Sequence, residues 1–369
     1  MKRLALLPSL AMLALAACQP SGTTIKIGLI GPLTGDAAAI GADMLSGTRL
    51  AIDRINAAGG INGKQLELIA EDGKCSGADA ANAAQKLVNV DKVVAIIGGL
   101  CSGETLAAAP IAEAGKVPMI SPGSSSPDVS KAGDFVFRDY PSDAGKTKAM
   151  AKYFADNKLA KVALMSENTD YAQALKVSLK KDLPAGSVVF DENVEPGTKD
   201  FRSLLTRMKS AQFDVFVPNA NSDAVDAVMV QQFRQQGFTQ RITGADTMDS
   251  AVVVQVAGDA AEGVTLINVP TAGEGTKFET DVKAKYGEPK SSISWVAYAF
   301  DAMNVFAQAF KAAGTDGPAV RDYLYGMQPY TGIVGTFHFD KAGDPVGISY
   351  VSKKFTGGKI ITVGNITLP

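Results

Sequence analysis

The run Val93-Val94-Ala95-Ile96-Ile97-Gly98-Gly99-Leu100-Cys101-Ser102-Gly103-Glu104 sets an unbroken apolar stretch against a glycine-rich turn and the first residue of a helical pattern. An apolar run of that length bounded by glycines reads as a strand covered on both faces, the kind that fills a parallel sheet. The helical pattern then runs from Glu104 to Ala114, and a second strand pattern follows over Val117 to Ser121. Strand, turn, helix and strand in that order form the unit of a parallel α/β sheet, because parallel neighbours need a crossover between them.

The same alternation extends both ways. Upstream lie a strand at Ile25 to Ile30, a helix at Ala42 to Ala57 closed by Gly59-Gly60, a strand at Gln65 to Glu71 and a helix at Ala78 to Asn89. After Tyr140-Pro141 a second series begins, with Ser142 as N-cap of a helix over Asp143 to Asp156. Strands at Val162 to Ser166, Ser187 to Asp191, Val215 to Val217 and Arg241 to Thr243 alternate there with helices at Ala172 to Leu183, Asp200 to Ser210 and Asp223 to Gln236. Helices over Lys277 to Tyr286 and Val296 to Ala313 precede strand-like runs at Val334 to Phe339 and Ile348 to Phe355. Two such series predict two doubly wound α/β lobes.

The 369 residues suffice for about two domains. With 36 basic against 38 acidic residues and no block of one sign, nothing marks a nucleic-acid or anionic-membrane surface. Met1-Lys2-Arg3, the apolar run Leu4 to Leu15 and Ala16-Ala17 before Cys18 read as an export signal over residues 1–17, too short an apolar stretch to span a bilayer. Leu15-Ala16-Ala17-Cys18 resembles a bacterial lipobox, which implies a lipid on Cys18 and a tether over residues 18–24. Cys75 and Cys101 remain, and outside the cytoplasm a disulfide between them is expected, stabilising by roughly 3 to 4 kcal/mol in the chain-entropy model.

Candidate chemistry is sparse. Gly28 to Gly35 follows a strand but matches neither the dinucleotide nor the P-loop spacing. The single histidine, His338, sits in an alternating strand pattern, so a serine–histidine pair and a metal cluster are both unsupported, and no cofactor is expected. Hydroxyls and glycines instead gather at the carboxyl ends of strands, in Gly98-Gly99-Leu100-Cys101-Ser102-Gly103 and Ser121-Pro122-Gly123-Ser124-Ser125-Ser126-Pro127. Open α/β sheets bind ligands there, and the helix N-termini after such loops suit a carboxylate.

These loops, with Ile27 to Gly35, Asn56 to Gly63, Pro196 to Phe201 and Gly258 to Gly263, resemble the type I periplasmic binding proteins for branched-chain amino acids, the solute receptors of ABC importers. The likeness spans the chain after Thr24. It implies two lobes joined by three crossovers, one of residues 25–141 and 271–333 and one of residues 142–270 and 334–369, with a ligand cleft between them. By matching motifs it implies that Ser102 and Ser125 hold a ligand carboxylate, with Ser124 in the same loop. The Gly123 carbonyl and Asp246 take the α-ammonium, Tyr171 closes over the ligand, and Trp295 lines the side-chain pocket. It also implies the Cys75 to Cys101 disulfide. Asp246 stands where the best-known members carry Glu, Ile40 where they carry an aromatic wall, and Asn219 to Ser222 replaces an aromatic-containing segment.

The expectation is therefore an exported, lipid-anchored, monomeric receptor without enzymatic activity. It binds a free amino acid, leucine, isoleucine or valine first, and delivers it to a permease in the cytoplasmic membrane. It lies in the periplasm, or on the outer surface of a single-membrane bacterium. The rival expectations are the same fold tuned to an amide, a urea-like molecule or an aromatic acid, and a sensory subunit.

Overall fold

The first of two large sheets is entirely parallel. The computed structural model describes residues 24–368, so the expected leader over 1–17, the Cys18 lipid site and the tether up to residue 23 lie outside the described residues. β1 (Ile25–Gly31), α1 (Ala38–Ala57), β2 (Leu66–Asp72), α2 (Gly77–Gln85), β3 (Ala95–Gly98), α3 (Ser102–Gly115), β4 (Met119–Ser121) and β5 (Val136–Arg138) follow one another. Their strands lie in the order β2-β1-β3-β4-β5. β3 is buried at all four positions, as its continuous apolar run requires.

The chain then crosses to a second sheet. α4 (Asp143–Asp156), β6 (Val162–Glu167), α5 (Asp170–Asp182), β7 (Val188–Val194), α6 (Arg202–Met208), β8 (Val215–Asn219), α7 (Asp223–Gln235), β9 (Arg241–Gly244), α8 (Ala251–Ala257) and β10 (Thr265–Asn268) build it. A second crossing leads to α9 (Lys277–Tyr286), α10 (Ile293–Ala313) and α11 (Gly317–Gly326), then to β11 (Tyr330–Gly332), β12 (Gly335–Phe339) and β13 (Pro345–Val346). A third returns the chain for β14 (Tyr350–Thr356) and β15 (Lys359–Ile366), giving the order β15-β14-β10-β9-β8-β6-β7. β14 and β15 pair antiparallel on the edge of an otherwise parallel sheet.

α10 is apolar nearly all round and is buried accordingly. It lies against α1 so closely that a Cβ on Gly47 would sit 2.1 Å from the Val296 carbonyl oxygen, a contact only glycine allows. The three crossings are stitched together by buried polar groups. The Tyr140 hydroxyl donates to Asn268 Oδ1 at 2.7 Å, the Asn268 amide donates to Asp249 at 2.9 Å, and Lys353 binds both Asp249 and Thr271 Oγ1.

Several elements differ from the sequence reading. The helix expected over 78–89 is α-helical only to Gln85, widens to π geometry over Lys86–Asp91, and ends at Lys92 in the left-handed region. β5, α8, β10, α11, β11, β13 and β15 are additional. β15 carries a readable signal: Gly357 and Gly358, at φ 57° and 73°, make the two-residue turn that pairs Thr356 with Lys359. Residues 334–346 were expected with the second lobe. β12 and β13 instead join β11, and Phe339 packs 5.1 Å from the Phe137 ring of β5 in the first sheet.

Candidate functional site

α3 starts at the carboxyl end of β3, and the turn between them is built from Gly98 and Gly99 for steric reasons. Gly98 sits at φ 129°, and a Cβ there would lie 2.1 Å from the Ile30 carbonyl oxygen. Glu104, in the first turn of α3, accepts from the N–H groups of Cys75, Leu100 and Cys101, each at 3.0 Å. Burial raises its carboxyl to about 7, against those three bonds. The disulfide between Cys75 and Cys101, with Cα atoms 5.3 Å apart, fixes the same turn to the segment after β2. Among the described residues, Cys75, Cys101 and Glu104 form the one grouping tight enough for a metal, and its sulfurs are consumed in the disulfide.

A small cavity of about 30 Å³ opens between the two sheet systems, lined in part by Ser102, Gly123, Tyr171, Asp246 and Trp295. That is room for about two waters, so the lobes must part to admit a solute. Ser102 Oγ accepts from the Ser126 N–H at 3.2 Å, which leaves the hydroxyl proton free for a ligand. The N–H groups of Ser102 and Gly103, in the first turn of α3, have no acceptor within the helix. This wall therefore offers donors and the positive end of a dipole.

Ser124 and Ser125 do not line the cavity. The Ser124 hydroxyl is shared with Thr105 Oγ1 at 2.7 Å and with the carbonyls of Gly99 and Leu100, while Ser125 Oγ donates to Asp143 Oδ2 at 3.0 Å. Behind them Arg138, fully buried, donates to the carbonyls of Ser124 and Ser126 at 3.1 and 2.8 Å and to Asp344 at 2.6 Å. Arg138 holds the serine loop in place, a role its sequence neighbourhood did not mark.

The opposite wall is acidic, with one buried lysine between two carboxylates. Asp246 accepts on Oδ1 from the Tyr171 hydroxyl at 2.7 Å and contacts Lys146 Nζ there, also at 2.7 Å. Lys146 Nζ lies 2.8 Å from Asp143 Oδ1 as well. Burial works against the Lys146 ammonium, but Asp143 and Asp246 together outweigh it and push its pKa up. Burial raises the Asp143 carboxyl even though Lys146 opposes the shift. Sequence reasoning missed Lys146; an i,i+3 pair with Asp143 just after a crossover was its only local signal.

Contacts across the cleft hold the lobes together. Lys199 pairs with Asp36 at 2.5 Å, and Ser222 Oγ donates to the Asp36 carbonyl at 2.8 Å. Asp43 of α1 accepts from the N–H groups of Lys290, Ser291 and Ser292 at 2.7, 2.7 and 3.0 Å. The hydroxyl of Ser291 then bonds Asp223 at 3.0 Å and Ser250 at 2.9 Å in the second lobe.

The family model for periplasmic binding proteins matches residues 24–354. A leucine-, isoleucine-, valine-, threonine- and alanine-binding protein of Pseudomonas aeruginosa is 30% identical over 352 residues, with 92% of each chain covered. A leucine-specific-binding protein of Salmonella typhimurium is 29% identical, with 95% of this chain and 96% of that one covered. Among solved structures, the leucine-binding protein LivK of Thermotoga maritima matches with a TM-score of 0.85 at 28% identity, over 93% of this chain and 99% of that one. LivJ of Streptococcus pneumoniae in complex with isoleucine matches at 0.83 and 31%, over 93% and 100%.

Proposed function

The chain belongs to the periplasmic binding protein family, and from that premise we propose that it is a receptor for a free α-amino acid, of the branched-chain group its relatives bind, delivered to an ABC importer. The supporting observation is the pair of unlike walls across one cavity: Ser102 with the α3 N-terminus on one side, Asp246 with Tyr171 on the other. A zwitterion needs a partner at each end, because burying either charge unpaired costs several kcal/mol.

The ligand carboxylate takes the Ser102 hydroxyl and the free N–H groups of α3. The ammonium takes Asp246, whose Oδ1 is already engaged, and the Gly123 carbonyl. When all three groups are ionised, Asp143 and Asp246 carry one negative charge more than Lys146 balances, and a ligand ammonium completes the count. An aromatic acid or an amide supplies no such cation, which favours the amino acid over those solutes. Ser124 and Ser125 shape the site from behind, and Trp295 walls the side-chain end.

The lobes we assign are residues 25–141 with 271–346 and residues 142–270 with 347–368. Export, a lipid on Cys18 and a monomeric state complete the proposal, with binding and closure as the whole activity and no chemical step. A calorimetric screen of the chain truncated after Cys18 tests it, using the common amino acids with sugars and amides as controls. Micromolar or tighter binding of an amino acid is expected; binding of an amide or aromatic acid alone would overturn the zwitterion clamp.

A further inference from the structure

Glu104 turns back beneath the same helix start that faces the cavity. Its Oε2 accepts from the N–H groups of Leu100 and Cys101 and its Oε1 from that of Cys75, and the residue is fully buried. Leu100, Cys101 and Ser102 are consecutive, and all three line the cavity. One short turn therefore has donors for two carboxylates: Leu100 and Cys101 are spent on Glu104, while the N–H groups of Ser102 and Gly103 are left for the solute. The fit under the turn needs glycine, since a Cβ on Gly73 would lie 2.3 Å from Glu104 Oε1 and one on Gly99 2.3 Å from the Glu104 Cβ. Glu104 makes no ion pair among the described residues. The charged groups on the elements packed against this corner are Asp72 at the end of β2, Lys74, which is drawn off to Asp79 at 3.2 Å, and Asp170 of α5, whose Oδ2 would lie 2.6 Å from a Cβ on Gly103.

We propose that Glu104 takes up a proton when the solute carboxylate binds at Ser102, so that the protonation of this one side chain sets the affinity of the receptor. The inference rests on the amino-acid reading above and adds a proton to its binding step. One solute and one proton enter together: the Glu104 carboxylate becomes a neutral acid, and the solute stays a zwitterion. Two carboxylates served by one turn in a closed, water-poor site are costly when both are ionised, because burial and like charge each favour a neutral form. The solute must keep its charge to use Ser102 and the positive end of α3. Glu104, which burial already pushes up to about 7, is the one of the two placed to take the proton. The solute charge raises that value further, so above about pH 7 the protein must gather a proton in order to bind. Affinity is then level below that pH and falls above it, by up to about tenfold per pH unit until the value of the bound state is passed.

Isothermal titration of the purified protein with L-leucine, or with the tightest-binding amino acid of the screen above where that is another, is the test. At about pH 7.5 the apparent binding enthalpies in phosphate and in Tris are expected to differ in the sense of net proton uptake, and affinity is expected to fall about three- to tenfold between about pH 6 and 8. E104Q, checked for folding by its thermal melt, is expected to lose both the buffer dependence and the pH dependence while still binding. Equal enthalpies in the two buffers, or uptake that persists in E104Q, overturns the proposal and leaves the amino-acid reading intact. If E104Q does not fold, D72N decides: withdrawing the neighbouring carboxylate is expected to move the onset of the fall to lower pH, and an unmoved onset overturns the proposal. Binding of no amino acid overturns the amino-acid reading and the proton uptake with it.

Discussion

Lys146 and Asp246 meet at 2.7 Å in the interior of the second lobe, the lysine side chain fully buried and the aspartate nearly so. A cation is thus built into the cavity wall that carries Asp246 and Tyr171. With Asp143 at 2.8 Å it forms a three-membered ionic cluster, in which removing the lysine leaves two buried carboxylates uncompensated.

K146M is expected to destabilise the protein by about 3 to 5 kcal/mol, the usual cost of breaking a buried ion pair by removing one partner. Urea unfolding measures it. Combining it with D246N should recover part of the loss, because the second change withdraws a charge the first one stranded. Additive losses would show that Lys146 acts through packing alone.

D246A should weaken amino-acid binding by about 2 to 5 kcal/mol, and S102A by about 1 to 3 kcal/mol, as expected for truncating a buried charged contact and a hydroxyl donor. Calorimetric titration reads both. D246A retaining full affinity would relocate the ammonium contact.

Stability should fall as pH rises from about 4.5 to 7. Burial holds Glu104 at about 7 and Asp43 and Asp301 at about 6, all above their ordinary values. Between the ordinary and raised values the folded state keeps protons that the unfolded state has lost, so each rise in pH favours unfolding. Glu104 alone accounts for about 3 kcal/mol across that window, present below pH 4.5 and lost above 7. Urea midpoints at pH 5 and pH 8 measure the slope, and E104Q should flatten it.

How far the sequence carries this account depends on where each signal lives. The strand over Val93 to Ile97, the helix start near Ser102 and the hydroxyl-rich loop at Ser121 to Pro127 are local patterns, and they locate one wall of the cavity. Helices 143–156 and 277–286 are readable to the residue, because Ser142 and Thr276 cap them with their side chains. Lys146 is one of three lysines in helix 143–156, and nothing local distinguishes it from Lys148 and Lys152. Only the fold brings Asp246, remote in sequence, against it. The buried side chains of Ser124 and Ser125 are invisible for the same reason: which way a loop hydroxyl turns depends on Gly99, Leu100 and Asp143 across the turn. β5 is three residues long, too short to show a period.

S291A should loosen the contact between the two lobes. The variant loses the bonds to Asp223 and Ser250 while the backbone clasp of Asp43 remains. Small-angle scattering without ligand should report a larger radius of gyration than for the unaltered protein, with the difference vanishing at saturating ligand. Equal radii without ligand would assign closure to other contacts.

The Ser291 hydroxyl reaches both Asp223 and Ser250, so one short side chain latches the segment before α10 onto the start of α7 and of α8. Such a latch contributes a few kcal/mol at most, little against the binding of a buried, doubly charged solute, so the solute and not the latch sets how long the cleft stays shut.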